Sequence, residues 1–386
     1  CLLMLTTPSV SAGLLMPDET LRDNLTWLSS RHALSLDLTT WPLSEEAVQG
    51  ALTPLRTNTD AATQRALARI DQRLRQLHAP VNARLWTNSQ KPGLTSGFAQ
   101  SQTAAHGLDV GVNDRGDFWE IQLQGQLESH RYIASDAHPT LNGSRASVKL
   151  FDQWLSFGEI PQWWGPGHAN SLIRSDAARP VTGFQLQRAS TTAFTTPWLA
   201  WLGPWNYQLS AGQLRQYHTP SEPKLLGARL SVMPLPALQI GLSRTLMWGG
   251  DGRPQSFSSL GNAVIGRDNT NNASKDPANQ LGGIDFRLNL APLVDIPAAF
   301  YGQIIGEDEA GFMPSHVMYM AGIELMHTWD SQLVSLYLEG ADTRTNLDKQ
   351  GISYTHRNYK QGYYQQGYPL GASMGGDSTQ YTLGVS

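Results

Sequence analysis

The stretch Phe118-Trp119-Glu120-Ile121-Gln122-Leu123-Gln124-Gly125-Gln126-Leu127-Glu128 alternates with a period of two. Successive side chains of a strand point to opposite sides, so Trp119, Ile121, Leu123, Gly125 and Leu127 share one face, and Glu120, Gln122, Gln124 and Gln126 the other. Amides facing one way and aliphatics the other suit a sheet whose polar face lines water and whose apolar face meets lipid or a core. The pattern returns at Leu226, Ala228, Leu230 and Val232, and again at Leu238, Ile240 and Leu242, with Pro234 to Pro236 as a tight turn between the two. Val334, Leu336 and Leu338 repeat it opposite Tyr337 and Glu339, after a turn at Asp330-Ser331. The period of two sets in at about Gly107, and further strands are expected near 146–158, 205–214, 282–290, 299–306 and 318–328.

Composition points the same way. Only 16% of the 386 residues are charged, against roughly a quarter in soluble domains, and Gln, Asn, Ser and Thr fill the deficit. Glycine (36), tryptophan (12) and tyrosine (12) are abundant, which serves turns and an interfacial aromatic belt, but also a secreted sugar-binding sandwich or a propeller. A net charge of −4 with no basic run excludes nucleic acid as a partner. No run of eighteen apolar residues follows the N-terminal segment, so a chain that spans a membrane does so as a closed barrel. The single cysteine, Cys1, leaves no disulfide and no cysteine-ligated metal.

Leu2 to Leu5 followed by Val10-Ser11-Ala12 resembles the end of a signal peptide, so residues 1–12 are read as its remnant and export is inferred. Residues 13–85 read as a helical bundle. Asp18 caps a segment with Leu21, Leu25 and Leu28, and Ser44 caps one beginning Glu45-Glu46. From about Thr59 to His78, Leu67, Ile70, Leu74 and Leu77 form one stripe while Arg65, Arg69, Arg73 and Arg75 stay largely wet. Residues 86–386 read as the barrel. Its connections are short on one side and long on the other, notably Arg253–Gln280 and Asp342–Gln380. Gln380 to Ser386 begins another strand, and the natural chain is expected to continue with the strands that close the wall.

Three patches carry recognition chemistry. Trp154-Leu-Ser-Phe157-Gly-Glu159-Ile-Pro-Gln-Trp163-Trp164-Gly165-Pro-Gly167 offers aromatic faces for sugar on a stiff backbone, or a packed belt. Trp248-Gly-Gly-Asp251-Gly-Arg253 sets an aromatic plate beside a carboxylate and a guanidinium, which grip hydroxyls or form an internal ion pair. The run from Tyr359 through Tyr363, Tyr364 and Tyr368 to Gly371 offers amphipathic plates and amides, or loop packing over a barrel. Candidate polysaccharide contacts are therefore Trp163, Trp164, Trp248, Asp251, Arg253, Tyr363, Tyr364 and Tyr368. No nucleophile elbow, zinc helix or phosphate loop occurs, and no enzyme is expected. Glu307-Asp308-Glu309 and Asp268-Asn-Thr-Asn-Asn272 could ligate calcium but read as charged and polar loop segments. His316, His327 and His356 are too scattered to announce a metal, and no cofactor is expected.

Leu21-Arg-Asp-Asn-Leu-Thr-Trp27-Leu, Thr40-Trp-Pro-Leu-Ser44, the Trp154–Gly167 run, Asp342-Thr-Arg-Thr-Asn346 and Tyr363-Tyr-Gln-Gln-Gly-Tyr-Pro-Leu370 together make the chain similar to the Wzi family of outer-membrane capsule assembly proteins of enteric bacteria. That resemblance implies an all-β transmembrane barrel of eighteen antiparallel strands with a small N-terminal helical bundle in the periplasm. It also implies long extracellular loops that occlude the lumen, and a lectin that holds group 1 type capsular polysaccharide at the cell surface. The partners so implied are the polymer, outer-membrane lipid and the capsule export machinery. A diffusion channel for small polar solutes is the alternative that a polar lumen allows.

Overall fold

The computed structural model describes residues 13–386 apart from 33, 90–92, 94–95, 101–103, 134–137, 266–277, 308, 311–312, 315 and 330–331. The leader reading of 1–12, the turn at Asp330-Ser331 and the Asp268–Asn272 segment lie outside the described residues.

Three helices come first: α1 (Glu19–His32), α2 (Glu45–Leu52) and α3 (Ala61–Leu77). Asp18 Oδ1 accepts from the Leu21 amide at 2.9 Å, and Asp60 Oδ2 from Thr63 N at 2.8 Å, so two of the three starts carry a side-chain cap. Ser44 occupies the cap position of α2 without a side-chain bond to it. Leu21, Leu25, Leu28, Val48, Leu67 and Ile70 form the bundle core with Trp41, while Leu77 packs at its margin. Of the arginines on α3, Arg65 and Arg75 are exposed, whereas Arg73 is half-buried and reaches Asp18 at 2.6 Å.

One antiparallel meander follows. Its strands are β1 (Val81–Thr87), β2 (Ala104–Arg115), β3 (Trp119–Arg131), β4 (Arg145–Leu150), β5 (Gln153–Glu159), β6 (Thr182–Arg188) and β7 (Trp205–Gln213). They continue as β8 (Lys224–Leu235), β9 (Leu238–Trp248), β10 (Ala278–Asn289), β11 (Ala298–Glu307), β12 (Val317–Trp329), β13 (Gln332–Asp342) and β14 (Thr379–Val385). Each pairs with the next in chain order, and a short piece, His138–Thr140, pairs with β3 to make fifteen strands in the sheet. Among the described residues no pairing joins β1 to β14. The expected segment 146–158 is two strands with a turn between them. β1 begins at Val81, so the change from helix to sheet falls near residue 80, ahead of the boundary expected at 85.

The sheet is inside-out. On β3 the aliphatic face is open, with Ile121 44%, Leu123 63% and Leu127 52% exposed, while Glu120 and Glu128 on the opposite face are 0% and 2% exposed. On the curved sheet the polar face is therefore the enclosed one, and the open face is the one that lipid satisfies. No helix among the described residues is long and apolar enough to cross a membrane. Most strands of the wall run from nine to thirteen residues, and about ten span a bilayer when tilted.

The two ends differ. β2–β3, β4–β5 and β8–β9 are joined by short turns at the end where the bundle sits; there Glu45 meets Arg115 and Lys149 meets Glu46. The same end exposes Phe118, Phe151, Trp198 and Trp201, an aromatic belt of the kind found at a membrane boundary. The connections 160–181 and 343–378 lie at the opposite end.

Candidate functional site

The segment between β5 and β6 lies against the enclosed polar face of the curved sheet as a plug. Its side chains and amides bond to the polar face of five different strands, so the sheet curls around it. Gln162 Nε2 donates to Gln185 of β6 (2.8 Å), and Trp164 Nε1 to Gln208 of β7 (2.5 Å). On β11, Gln303 donates to the Trp164 carbonyl (2.9 Å) and accepts from the Leu172 amide (2.7 Å). Glu339 of β13 accepts from His168 N at 2.7 Å, and Arg179 pairs with Glu128 of β3. Gly167 is required by close approach, since a Cβ there would fall 2.1 Å from the Asn170 carbonyl oxygen.

The bundle end is locked to the same segment. Arg22 donates to the carbonyls of Pro166 and Gly167 at 2.8 and 2.7 Å, with its guanidinium 4.3 Å from the Phe98 ring centre. Trp163 and Trp164 pair as strand with Trp41 and Thr40. In the wall nearby, Arg229 and Asp285 form a bidentate pair at 2.6 and 2.9 Å; Arg229 also donates to Thr39 and Thr40 hydroxyls at 2.7 Å each. Asp37 is bonded to Ser231 and Gln239. The stretch 37–41 thus straps the bundle to the polar face of the wall.

From the other end the loop 343–378 folds down onto this plug. Tyr354 donates to the Leu172 carbonyl (2.6 Å), Tyr363 to the Ile173 carbonyl (2.9 Å) and Tyr217 to the Gly362 carbonyl (3.0 Å). Burial pushes these three phenols upward, so they remain neutral donors. Glu307 accepts from the Tyr354 amide, which makes it a loop anchor. Among the described residues no group of three His, Cys, Asp or Glu side chains is arranged to hold a metal.

Asp176, in the plug, accepts from the Ala99 amide at 2.8 Å, and burial pushes its carboxyl up to about 7. Asp23 on α1 is pushed up to about 6 by the same cause. A carboxyl raised in the folded state binds its proton more tightly there than in the unfolded chain. Stability is therefore expected to rise as pH falls from about 7 toward the unfolded value near 4. Asp176→Asn should flatten that rise and stabilise the protein at pH 8. Urea midpoints measured from pH 4 to 8 check this, and a slope unchanged by the substitution would refute it.

The expected contact residues separate into three groups. Trp163, Trp164, Tyr363 and Tyr368 are buried: the tryptophans belong to the plug, Tyr363 clamps it, and the Tyr368 hydroxyl accepts from Ile133 N at 3.0 Å. These four fit the packing alternative. Trp248 lies on the outer wall, because its register partners Lys224 and Ala278 and its neighbour Leu246 share the lipid-side face. It is 7% exposed, covered by a short helix and by the Lys224 ammonium 5.1 Å from its ring. Asp251 is exposed, while Arg253 and Tyr364 are half-buried, all three at the loop end.

Around them three loops meet. Lys360 N donates to the Thr219 carbonyl (2.9 Å), Gln361 accepts from His218 N (2.5 Å), and Asp251 N donates to the Ser221 carbonyl (3.0 Å). The junction exposes Arg215, His218, Lys360 and Gln361 beside Asp251. Asp251, Lys360 and Gln361 fall within patches that the sequence pointed out, whereas Arg215 and His218 do not; their meeting was not legible because the segments lie some 140 positions apart, Lys360 against Thr219.

Residues 81–386 match the family model described as capsule assembly protein Wzi. A Klebsiella pneumoniae protein described as an uncharacterized 55.8 kDa protein in the cps region is 46% identical over 367 residues, which is 95% of this chain and 72% of that protein. A solved structure of Wzi, described as an outer membrane protein involved in group 1 capsule assembly in Escherichia coli and a carbohydrate-binding β-barrel, superposes with a TM-score of 0.89. It is 45% identical, and the match covers 97% of this chain and 81% of that one.

Proposed function

Because the chain belongs to the Wzi capsule assembly family of outer-membrane β-barrel proteins, we propose that it is a surface lectin that holds capsular polysaccharide of the group 1 type on the cell. In this reading the wall closes as a barrel in the membrane, the helical bundle lies in the periplasm within reach of the export machinery, and the long loops face outward. No reaction belongs to it. The observation that carries it is the filled lumen: a segment bonded to five strands and clamped by buried tyrosines blocks the path that a diffusion channel needs. What the loop end offers instead is a surface of hydrogen-bonding and charged groups, Arg215, His218, Asp251, Arg253, Lys360, Gln361 and Tyr364. A polymer repeats its unit, so weak contacts at one unit add up to firm retention.

Loss of the protein should leave polymer synthesis intact and move capsule from the cell-bound fraction into the medium. Single changes Arg253→Ala, Lys360→Ala or Tyr364→Ala should each weaken affinity for the polymer by roughly 5- to 30-fold, the range of about 1–2 kcal/mol for a lost charged or aromatic contact, and lower the cell-bound fraction. Equal retention in cells lacking the protein would refute the proposal. Large, stable single-channel currents through the purified protein in a planar bilayer would favour a channel instead.

A further inference from the structure

One element at the loop end has no part in the lumen or the loop junction. Helix α4 (Phe257–Val264) starts at Ser256, whose hydroxyl accepts from Ser259 N at 3.1 Å, and it lies outside the wall. Its inner side, Leu260 and Ala263, packs on Leu226, Leu246, Trp248 and Ala278, which occupy the outward face of β8, β9 and β10. Further along the same face the wall is open, at Leu230, Leu242 and Ile284. The helix therefore sits at the margin of the lipid-facing band.

Its other side carries bare apolar groups as well. Phe257, Gly261, Val264 and Ile265 follow helical spacing, and Phe257 is 94%, Val264 52% and Ile265 49% exposed. Residues 256–265 contain no charge. Only Ser258 and Asn262 give the exposed surface a narrow polar strip, so a short uncharged helix with Phe257, Val264 and Ile265 bare gains little from standing fully in water and suits a boundary. Its C-terminal end is tied down by Arg244, an outward-facing side chain that donates to the carbonyls of Val264 (2.7 Å) and Ala263 (3.2 Å) and to Gln280 (3.1 Å). An arginine on the lipid face is costly when bare, and orphan carbonyls at a helix end need donors; each supplies the other.

We propose that α4 is seated in the membrane boundary of the leaflet on the loop side, with Phe257, Val264 and Ile265 in contact with acyl chains. It braces the outer wall and sets the depth at which the loop end stands above the lipid. The inference rests on the membrane placement of the wall and is independent of polysaccharide binding.

The test uses the full chain with Cys1→Ser and one new cysteine at a time: Phe257→Cys, Val264→Cys, Leu230→Cys on the open wall, and Asp251→Cys in the loop junction. Each is labelled with an environment-sensitive fluorophore and reconstituted in phosphatidylcholine vesicles with plain or dibrominated acyl chains. Labels at Phe257→Cys and Val264→Cys should be quenched by brominated lipid to at least roughly half the extent seen at Leu230→Cys, with little quenching at Asp251→Cys. Weaker quenching at both helix positions, with Leu230→Cys strongly quenched, overturns the proposal for α4. Absent quenching at Leu230→Cys as well would overturn the placement of the wall.

Discussion

Arg229→Met is expected to lower the unfolding free energy by about 3–5 kcal/mol, the cost of leaving one buried charge without its partner. Arg229 and Asp285 are 0% and 1% exposed in their side chains. The guanidinium also holds Ser243 at 2.6 Å besides Thr39 and Thr40, so its loss leaves three hydroxyls and a carboxylate to find new partners. Gly241 stands between the pair, where an added Cβ would fall 2.4 Å from Arg229 Nη2 and 2.7 Å from Asp285. The double change Arg229→Met with Asp285→Leu removes both charges and should recover most of the loss, because a well-packed apolar pair is often no worse than a buried ion pair. Urea unfolding of the reconstituted protein measures both. A single variant within about 1 kcal/mol of the parent would show that the pair contributes little. Since Thr39 and Thr40 belong to the strap, proteolysis of the bundle should also quicken in the single variant.

The second large effect belongs to the opposite face of the wall. Leu123→Arg places a guanidinium in the middle of β3 on the open side and should cost about 2–4 kcal/mol if that position lies near the bilayer midplane. Gln124→Arg, one residue on, points inward beside other amides and should cost less than about 1 kcal/mol. Folding yield into vesicles, read from the heat-dependent shift in gel mobility, separates the two. Equal tolerance of both would mean that Leu123 does not face lipid.

Strands whose two faces differ strictly in polarity were legible: β3, β8, β9 and β13 appear where alternation put them. β6 went unread because Phe184 and Leu186 against Gln185 and Gln187 give only two repeats, and β1 because its alternation directly follows the helical stripe of α3. α4 was absorbed into a polar loop, since eight residues with Phe257, Leu260 and Val264 at helical spacing fall short of a persuasive period. The aromatic runs posed a harder problem. Whether Trp163 stacks on a sugar or fills a lumen depends on strands more than a hundred residues away, such as β11, that curl back over the plug. Nothing local in the sequence distinguishes those cases. The loop junction was legible only in pieces for the same reason: Asp251 and the run containing Lys360 stood out separately, but their meeting with each other and with Arg215 arises only on folding.

The plug is a connection tethered at both ends, leaving β5 at Glu159 and entering β6 at Thr182. If the loop end holds a long polymer as proposed, tension from that polymer reaches the plug through the tyrosine clamps. The bonds from β3, β6, β7, β11 and β13 then carry the load side by side, as rivets do around a rim. Such an arrangement yields only when many attachments fail together, whereas a hanging tail would peel away one bond at a time.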